Sequence, residues 1–166
     1  MNEIEYVIGD ATVPHGSGKR MIAHVCNDAG GWGAGFVLAL SRRWPQPERA
    51  YRTWFRGREN NDFALGAIQV VQVADDLSVV NMVAQHGIRA RTRSDVPIRY
   101  NALRACLATL HNEAARRGAS IHMPRIGSGL AGGDWGRISR LIQEWLVAPG
   151  IAVTVYDLER KAADAG

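Results

Sequence analysis

The sequence predicts an α/β fold, with a three-layer α/β/α arrangement around a mixed central sheet. Strand-like and helix-like segments alternate along most of the chain, which is the pattern of layered α/β domains. The 166 residues, 46% hydrophobic and 22% charged, have an ordinary globular composition and suffice for one domain with a substantial core. The two cysteines, Cys26 and Cys106, lie among apolar residues. We therefore expect buried free thiols rather than a disulfide framework or a metal site.

The first half of the chain is predicted to form four strands and two helices. Residues 3–8 alternate polar and apolar side chains, with Ile4, Tyr6 and Ile8 on one face, which is typical of a strand. The last two strands are β-branched runs separated by three residues, so they should be neighbours joined by a tight turn. The expected strands are 3–8, 21–25, 66–73 and 77–85; a glycine turn opens a helix within 33–44, and another helix covers 47–58.

The second half adds two helices and two strands. Apolar residues recur every three or four positions through 97–118, which indicates a helix with Pro97 in its first turn and Gly118 just past its end. Asp134 is a suitable N-cap for a helix over 134–147. Strands are expected at 120–124 and 151–156. One domain therefore covers 1–158, and the polar tail at 159–166 is expected to fray.

Charge and composition restrict the classes of function. Acidic residues stand at the N-terminus, where a signal peptide would be basic, and no apolar run is long enough to span a bilayer. We expect a cytoplasmic monomer with no membrane contact, no cofactor and no bound metal. The net charge of +4 favours an anionic partner. Arg89, Arg91 and Arg93 form either a solvated loop or a surface that steers anions, but no aromatic residues lie between them, which argues against nucleic-acid binding.

Four segments lie where predicted strands end, the edge at which α/β sheets bind ligands. They are "IGDAT" (8–12), "HVCNDAGGWGAGFV" (24–37), "NMVAQHGIRARTRS" (81–94) and "MPRIGSGLAGGDW" (123–135). The second and fourth are rich in glycine and run into helices, whose first amides are unpaired and whose dipole favours anions. Neither segment has the spacing of a P-loop or of the dinucleotide fingerprint. Two such loops in one small domain indicate a ligand with two phosphates, or one phosphate clamped by both.

These segments carry a family resemblance. "YVIGDAT", "HVCNDAGGWGAGF", "NMVAQ" and "MPRIGSGL" follow one another as they do in macrodomains, the ADP-ribose-binding fold. "MPRIGSGL" with "GDW" most resembles the branch that contains the terminal ADP-ribose protein glycohydrolase. The resemblance extends from Ile4 to Tyr156.

The resemblance implies a role for each matching residue. Asp10 would accept from the adenine amino group, beside the Ala11 amide, and Tyr156 would flank the adenine. The loop Gly33–Phe36 would close over the diphosphate and distal ribose, and Gly127–Leu130 would form the second phosphate loop. The expected ligand-binding residues are Gly9, Asp10, Ala11, Asn27, Trp32, Gly33, Ala34, Gly35, Phe36, Gln85, Ile126, Gly127, Ser128, Gly129, Leu130, Ala131 and Tyr156.

Two positions depart from the enzymes of that branch. Those enzymes use a lysine nucleophile where this chain has Gln85, and an aspartate where it has Ala131. An amide is no nucleophile and alanine carries no acid–base group, so a covalent lysine mechanism is not expected. Hydrolysis by a positioned water remains open, with Gln85 and Asn27 as the groups that hold water or ribose and Asp28 as the nearest base.

The resemblance implies an enzyme that binds ADP-ribose and removes mono-ADP-ribose from acidic side chains of modified proteins. Two alternatives stay open: a non-catalytic reader of ADP-ribosylated partners, and a phosphatase acting on ADP-ribose 1″-phosphate. Several residues also have plain structural interpretations. His24 can be a hydrogen-bonded histidine of the core, Trp32 can pack its loop against the protein, and Asp134 can cap a helix.

Overall fold

A single mixed sheet of six strands forms the centre of the molecule, and its order is β1-β6-β5-β2-β4-β3. The structure, a computed structural model, describes residues 2–90 and 92–159. All pairings are parallel except that of β3 with β4, which is antiparallel. The strands are β1 Glu5–Ile8, β2 Arg20–Asn27, β3 Ile68–Ala74, β4 Leu77–Gln85, β5 Ser120–Met123 and β6 Val153–Asp157.

Helices cover both faces of this sheet, as the sequence predicts. They are α1 Phe36–Arg43, α2 Gln46–Arg56, α3 Tyr100–Arg117 and α4 Trp135–Ile142, with a short 3₁₀ turn at Arg58–Asn60. Successive residues of β2 point to opposite faces. Met21 therefore packs with α3 and α4, whereas Ile22 packs with α1 and α2. Two apolar cores, one on each face, complete the three layers.

Several details of the predicted elements need correction. Pro97 is not in the first turn of a helix, because residues 97–99 run extended beside the end of β4 and the amide of Arg99 donates to the carbonyl of Ala84 at 2.8 Å. The predicted helix over 134–147 is α-helical only to Ile142 and continues as a π-helical turn over Gln143–Val147. The strand predicted at 3–8 is present as β1 at the edge of the sheet; of the three apolar residues on one face of the predicted strand, Ile4 packs against the core, whereas Tyr6 and Ile8 are exposed.

The local turn and cap predictions are confirmed. Gly118 ends α3 in the left-handed conformation, with φ of 64°. Asp134 caps α4 by accepting from the Gly136 amide at 3.1 Å. Cys26 and Cys106 are buried free thiols.

The parallel strands β1, β2, β4, β5 and β6 all end at one edge of the sheet, and the loops from that edge carry the four segments singled out above. None of the helices in the described ranges is long and apolar enough to cross a membrane. Arg91 and, apart from Glu159, the predicted polar tail lie outside the described residues.

Candidate functional site

A cleft opens at the carboxyl edge of the sheet, between the two glycine-rich loops. Residues 34–37 of the first loop and residues 124–127 and 129–131 of the second line one cavity of about 190 Å³. His24 and Val25 of β2 and Gln85 of β4 complete its wall. The structure thus brings together Ala34, Gly35, Phe36, Gln85, Ile126, Gly127, Gly129, Leu130 and Ala131 from the predicted set.

Helix α1 begins at the wall of this cavity, and no side chain from the described part of the chain caps it. Its N-cap residue is Gly35, with φ of 83°, and its first turn contains no acidic residue. The amide of Leu38 donates to the carbonyl of Gly35 at 3.1 Å, but the amides of the first two residues, Phe36 and Val37, have no earlier turn to pair with and lie at the positive end of the helix dipole. By contrast, Asp134 already occupies the start of α4. The start of α1 is therefore the place in this cleft best suited to a phosphate.

The second loop is held open by its own contacts. The amide of Gly133 donates to the carbonyl of Gly127 at 2.8 Å, and the Ser128 hydroxyl donates to the carbonyl of Arg125 at 2.8 Å. Among the described residues, apart from Gly129 itself and its two chain neighbours, no heavy atom lies within 4 Å of the point where a Cβ on Gly129 would sit. Gly129 thus leaves bare backbone on the cavity wall, whereas the Ser128 hydroxyl is used in a hydrogen bond within the loop.

A second, larger cavity of about 470 Å³ adjoins the first. The two share a wall that contains Gln85 and Leu130. The second cavity also contains Asn27, Trp32 and Gly33 from the predicted set, and Arg89, which the sequence analysis named as a residue that could steer anions. The residues of this cavity that sequence reasoning missed are Cys26, Gly31, Arg52 and Ile88.

Asn27 organises the loop that follows β2. Its Oδ1 accepts from the amides of Ala29 and Gly31, each at 3.0 Å, and from the Tyr51 hydroxyl at 2.9 Å. Its Nδ2 donates to the carbonyl of Gly31 at 2.9 Å. Both ends of the amide are engaged within the protein, so the ribose contact expected for Asn27 stays a prediction.

Asp28 joins the two loops that flank the second cavity. Its Oδ2 lies 2.7 Å from Nδ1 of His86, and its Oδ1 accepts from the Gly87 amide at 2.9 Å. The amide of Asp28 in turn donates to the carbonyl of Gln85 at 2.9 Å, and Nε2 of Gln85 donates to the carbonyl of Gly87 at 3.2 Å. Asp28 lines neither cavity, so its predicted role as a base rests on the sequence alone.

The residues predicted to hold adenine lie outside both cavities. Oδ1 of Asp10 accepts from the amide and hydroxyl of Thr12 at 2.8 and 2.7 Å, and Oδ2 lies 3.8 Å from Arg43. Burial alone would raise the pKa of Asp10, but the hydrogen bonds from Thr12 and the nearby arginines lower it. Ala11 is buried beside Asp10. The Asp10 carboxylate is therefore charged and keeps Oδ2 for a further donor.

Tyr156 lies deeper than its predicted role requires. It is 5% exposed, its hydroxyl is within 2.7 Å of Nδ1 of His122, and a Cβ on Gly9 would lie 3.4 Å from its ring. Trp32 is buried as well, and its Nε1 donates to the Ser41 hydroxyl at 2.8 Å. Both rings serve packing here, and their ligand contacts stay predictions.

Five residues of the smaller cavity were missing from the predicted set, and two of them, His24 and Arg125, have polar side chains; the other three are Val25, Val37 and Pro124. His24 has the sequence context of a core residue, and it is one, but it also reaches the cavity wall. Arg125 lies within the segment "MPRIGSGL" and binds both carboxylate oxygens of Asp157 at 2.7 and 2.9 Å, between the rings of Tyr6 and Trp135. Its place in that segment is the signal that sequence reasoning could have used.

Solved structures similar to this chain include close matches over nearly its whole length. A protein of unknown function from Bacteroides thetaiotaomicron is 53% identical with a TM-score of 0.90, the match covering 94% of this chain and 98% of that one. A macrodomain protein from Streptomyces coelicolor is 56% identical with a TM-score of 0.84, over 93% of this chain and 99% of that one. Thermosipho africanus DarTG in complex with ADP-ribose, 16% identical with a TM-score of 0.67 over 87% of this chain and 40% of that one, shares the fold.

Curated relatives are more distant. Chromodomain-helicase-DNA-binding protein 1-like from Danio rerio is 32% identical over 98% of this chain and 16% of its own length. The chain thus spans about a sixth of that relative. The ADP-ribose 1″-phosphate phosphatase of Lodderomyces elongisporus is 26% identical over 80% of this chain and 86% of its own length. No family model matches the chain.

Proposed function

Because this chain belongs to the macrodomain family, we propose that it binds ADP-ribose in the cleft between its two glycine-rich loops and removes mono-ADP-ribose from acidic side chains of modified proteins. The uncapped start of α1 on the wall of the smaller cavity is the observation that carries the proposal. Its free amides suit a diphosphate, and the bare backbone at Gly129 lets phosphate oxygens approach from the other side.

The two adjoining cavities suggest how the ligand lies. In this arrangement the smaller cavity takes the diphosphate, and the larger one takes the distal ribose and the side chain attached to it. Arg52 and Arg89 belong to the larger cavity. Arg52 is already paired with Glu48 at 2.9 Å, so the positive charge of Arg89 is the one that would favour an acidic acceptor and attract an anionic protein segment.

Hydrolysis in this site would proceed without a protein nucleophile. Water attacks C1″ of the distal ribose, the bond from C1″ to the carboxyl oxygen breaks, and the acceptor leaves as a carboxylate. The proton lost by the water passes to a ligand phosphate or to solvent. Gln85, on the wall shared by the two cavities, would hold that water, so the protein contributes orientation and electrostatics.

A label-release assay tests the proposal. Polymerase that has modified itself with labelled mono-ADP-ribose is incubated with the wild-type protein, with Gly129→Val and with Gly136→Val. The first valine would fill the cleft, whereas the second lies outside both cavities, in the first turn of α4. We expect label release by the wild type and Gly136→Val and a loss of release in Gly129→Val. Equal release by all three proteins would exclude this cleft as the site.

The reader function is the alternative that the residues themselves favour. Gln85 and Ala131 provide neither a nucleophile nor an acid where related enzymes have a lysine and an aspartate. Calorimetric binding of ADP-ribose with no label release would identify a reader. The similarity to an ADP-ribose 1″-phosphate phosphatase supports a third candidate, which release of phosphate from that compound would identify.

A further inference from the structure

Arg125 and Asp157 form an ion pair that joins the second glycine-rich loop to the end of β6. Nε and Nη2 of Arg125 donate to the two carboxylate oxygens of Asp157 at 2.7 and 2.9 Å, and such a bidentate pair fixes orientation as well as distance. The guanidinium carbon also lies 5.1 Å from the ring centroid of Tyr6 on β1 and 5.2 Å from that of Trp135 on α4. One side chain therefore connects its own loop to three other elements of the fold.

The contacts around the guanidinium favour a single position for it. The hydrogen bonds from Arg125 lower the pKa of Asp157, and the same bonds raise the pKa of Arg125, so both partners are charged at neutral pH. Nε1 of Trp135 donates to the Tyr6 hydroxyl at 3.2 Å, which fixes the two flanking rings to each other. The side chains of the pair are 42% and 33% exposed, and exposed ion pairs contribute little to folding. We therefore expect this pair to act on position more than on stability.

The backbone of Arg125 holds the second glycine-rich loop. Its carbonyl accepts from the Ser128 hydroxyl at 2.8 Å, which closes the turn that contains Gly127. Arg125 lines the smaller cavity, and Gly127 and Gly129 lie on the same wall. The position of Arg125 thus sets where the bare backbone of this loop lies in the cleft.

The backbone of Asp157 holds a different part of the carboxyl edge. Its carbonyl accepts from the amide of Gly9 at 2.8 Å. Gly9 directly precedes Asp10, whose charged carboxylate keeps Oδ2 for a further donor. Asp157 itself lines neither cavity. Hydrogen bonds therefore run from Arg125 on the cavity wall, through Asp157, to the residue before Asp10.

We propose that the pair of Arg125 and Asp157 positions the diphosphate part of the cleft relative to Asp10, so that a nucleoside diphosphate contacts both at once. This role rests on the proposed binding of ADP-ribose and on adenine recognition by Asp10. Because the two parts are aligned before the ligand arrives, a ligand that spans them loses less binding energy to rearrangement of the protein. Without the pair, each part can still bind its own end of the ligand, but the two ends are no longer held in register.

A double-mutant cycle tests this coupling. Calorimetry measures ADP-ribose affinity for the wild type, Asp157→Asn, Asp10→Ala and the double variant. Asparagine keeps the size of the side chain but loses its charge and the second acceptor for the guanidinium. We expect Asp157→Asn to weaken binding by about fivefold when Asp10 is present and by less than about twofold in the Asp10→Ala background. Asp157 lines neither cavity, so a loss that depends on Asp10 reports alignment rather than a missing ligand contact.

Glu113→Gln is the matched control, since it removes one negative charge from a carboxylate that two arginines of α3 bind. It should leave affinity unchanged. Thermal unfolding shows whether each variant is folded. Asp157→Glu, which keeps the charge but lengthens the side chain, gives a second cycle with the same expected sign if Asp157→Asn is unfolded.

The possible results separate this role from the proposed function. Equal losses in the two backgrounds would mean that the pair only holds its own loop, and would overturn the coupling. An unchanged or higher affinity in Asp157→Asn would overturn it too, and so would an Asp10→Ala variant that binds as tightly as the wild type. If the wild type does not bind ADP-ribose at all, the proposed function fails as well.

Discussion

The side chain of Leu130 lies across the cleft from Gly35, and its Cδ1 is 3.8 Å from the point where a Cβ on Gly35 would sit. The two glycine-rich loops therefore meet over the cavity. Leu130 is nevertheless 68% exposed and lines both cavities. An exposed leucine in this position contributes little to folding, so we predict that Leu130 serves to cover a bound ligand.

The first prediction concerns this leucine. We expect Leu130→Ala to weaken ADP-ribose binding by about 1 kcal/mol, or about fivefold, because part of the apolar cover over the ligand is lost. The free energy of unfolding should change by less than about 0.5 kcal/mol. Calorimetric titration and urea unfolding measure the two quantities. Leu65→Ala, at another exposed leucine, is the control and should leave affinity unchanged; an affinity loss of the same size there would contradict the interpretation.

The glycines of the second loop divide into two kinds, and a second prediction separates them. A Cβ on Gly133 would lie 2.5 Å from the carbonyl oxygen of Gly127, whereas one on Gly129 meets open space. We expect Gly133→Ala to lower the free energy of unfolding by about 1–3 kcal/mol through overpacking. Gly129→Ala should leave stability within about 0.5 kcal/mol and act on ligand affinity instead. Equal stability of the two variants would show that the loop relaxes around Gly133.

The sequence predicted the three layers, the mixed sheet and both glycine-rich loops. These features could be predicted because the periodicity of apolar residues and the positions of the glycines are local properties of the chain. Pro97 was misplaced because a lone sequence cannot show that residues 97–99 pair with the end of β4. The exposure of Tyr6 and Ile8 was likewise hidden, since alternation does not reveal which strand becomes the edge.

The site was predicted less completely than the fold. The glycine-rich segments identified the backbone of the cleft. His24 reaches the cleft from a core strand, Arg52 from a helix and Ile88 from a loop, and these contributions depend on tertiary packing. The hydrogen bonds that Asn27 makes to the loop after β2 and to Tyr51 of α2 are visible only in three dimensions, and its ligand contact stays a prediction.

Adenine recognition gives a third prediction. Asp10 keeps Oδ2 for a further donor and is held charged by Thr12 and Arg43. Replacing Asp10 with alanine should weaken ADP-ribose binding by about 1–3 kcal/mol, the usual cost of an unpaired buried partner. Asp75→Ala, in the exposed turn between β3 and β4, is the control. If the wild type binds ADP-ribose and ribose 5-phosphate with equal affinity, no adenine pocket exists.

Gln85 gives a fourth prediction, which concerns rate rather than affinity. If its amide positions the attacking water, Gln85→Ala should slow release of ADP-ribose from modified protein by about a hundredfold while ADP-ribose affinity changes little. Gln72→Ala, at an exposed position on β3, should leave the rate unchanged. Turnover at the wild-type rate in Gln85→Ala would remove Gln85 from the mechanism.

The fifth prediction concerns stability and pH. Burial lowers the pKa of both His24 and His122 to about 4, and His15 and Arg20 add to the effect at His122. In the unfolded chain both side chains titrate near the usual value of about 6.5. Between these values the unfolded state binds more protons than the folded state, so the free energy of unfolding must fall as the pH falls.

Each of these histidines can contribute up to about 1.4 kcal/mol for each pH unit in that interval. Urea unfolding at a series of pH values from about 7 to about 4.5 measures the slope. His24→Phe should remove about half of it, because one of the two buried rings no longer titrates in the unfolded chain, and His111→Phe should leave it unchanged. A wild-type stability that stays level over this interval would mean that the two rings titrate in the folded protein as they do in the unfolded chain, so that burial does not lower their pKa values.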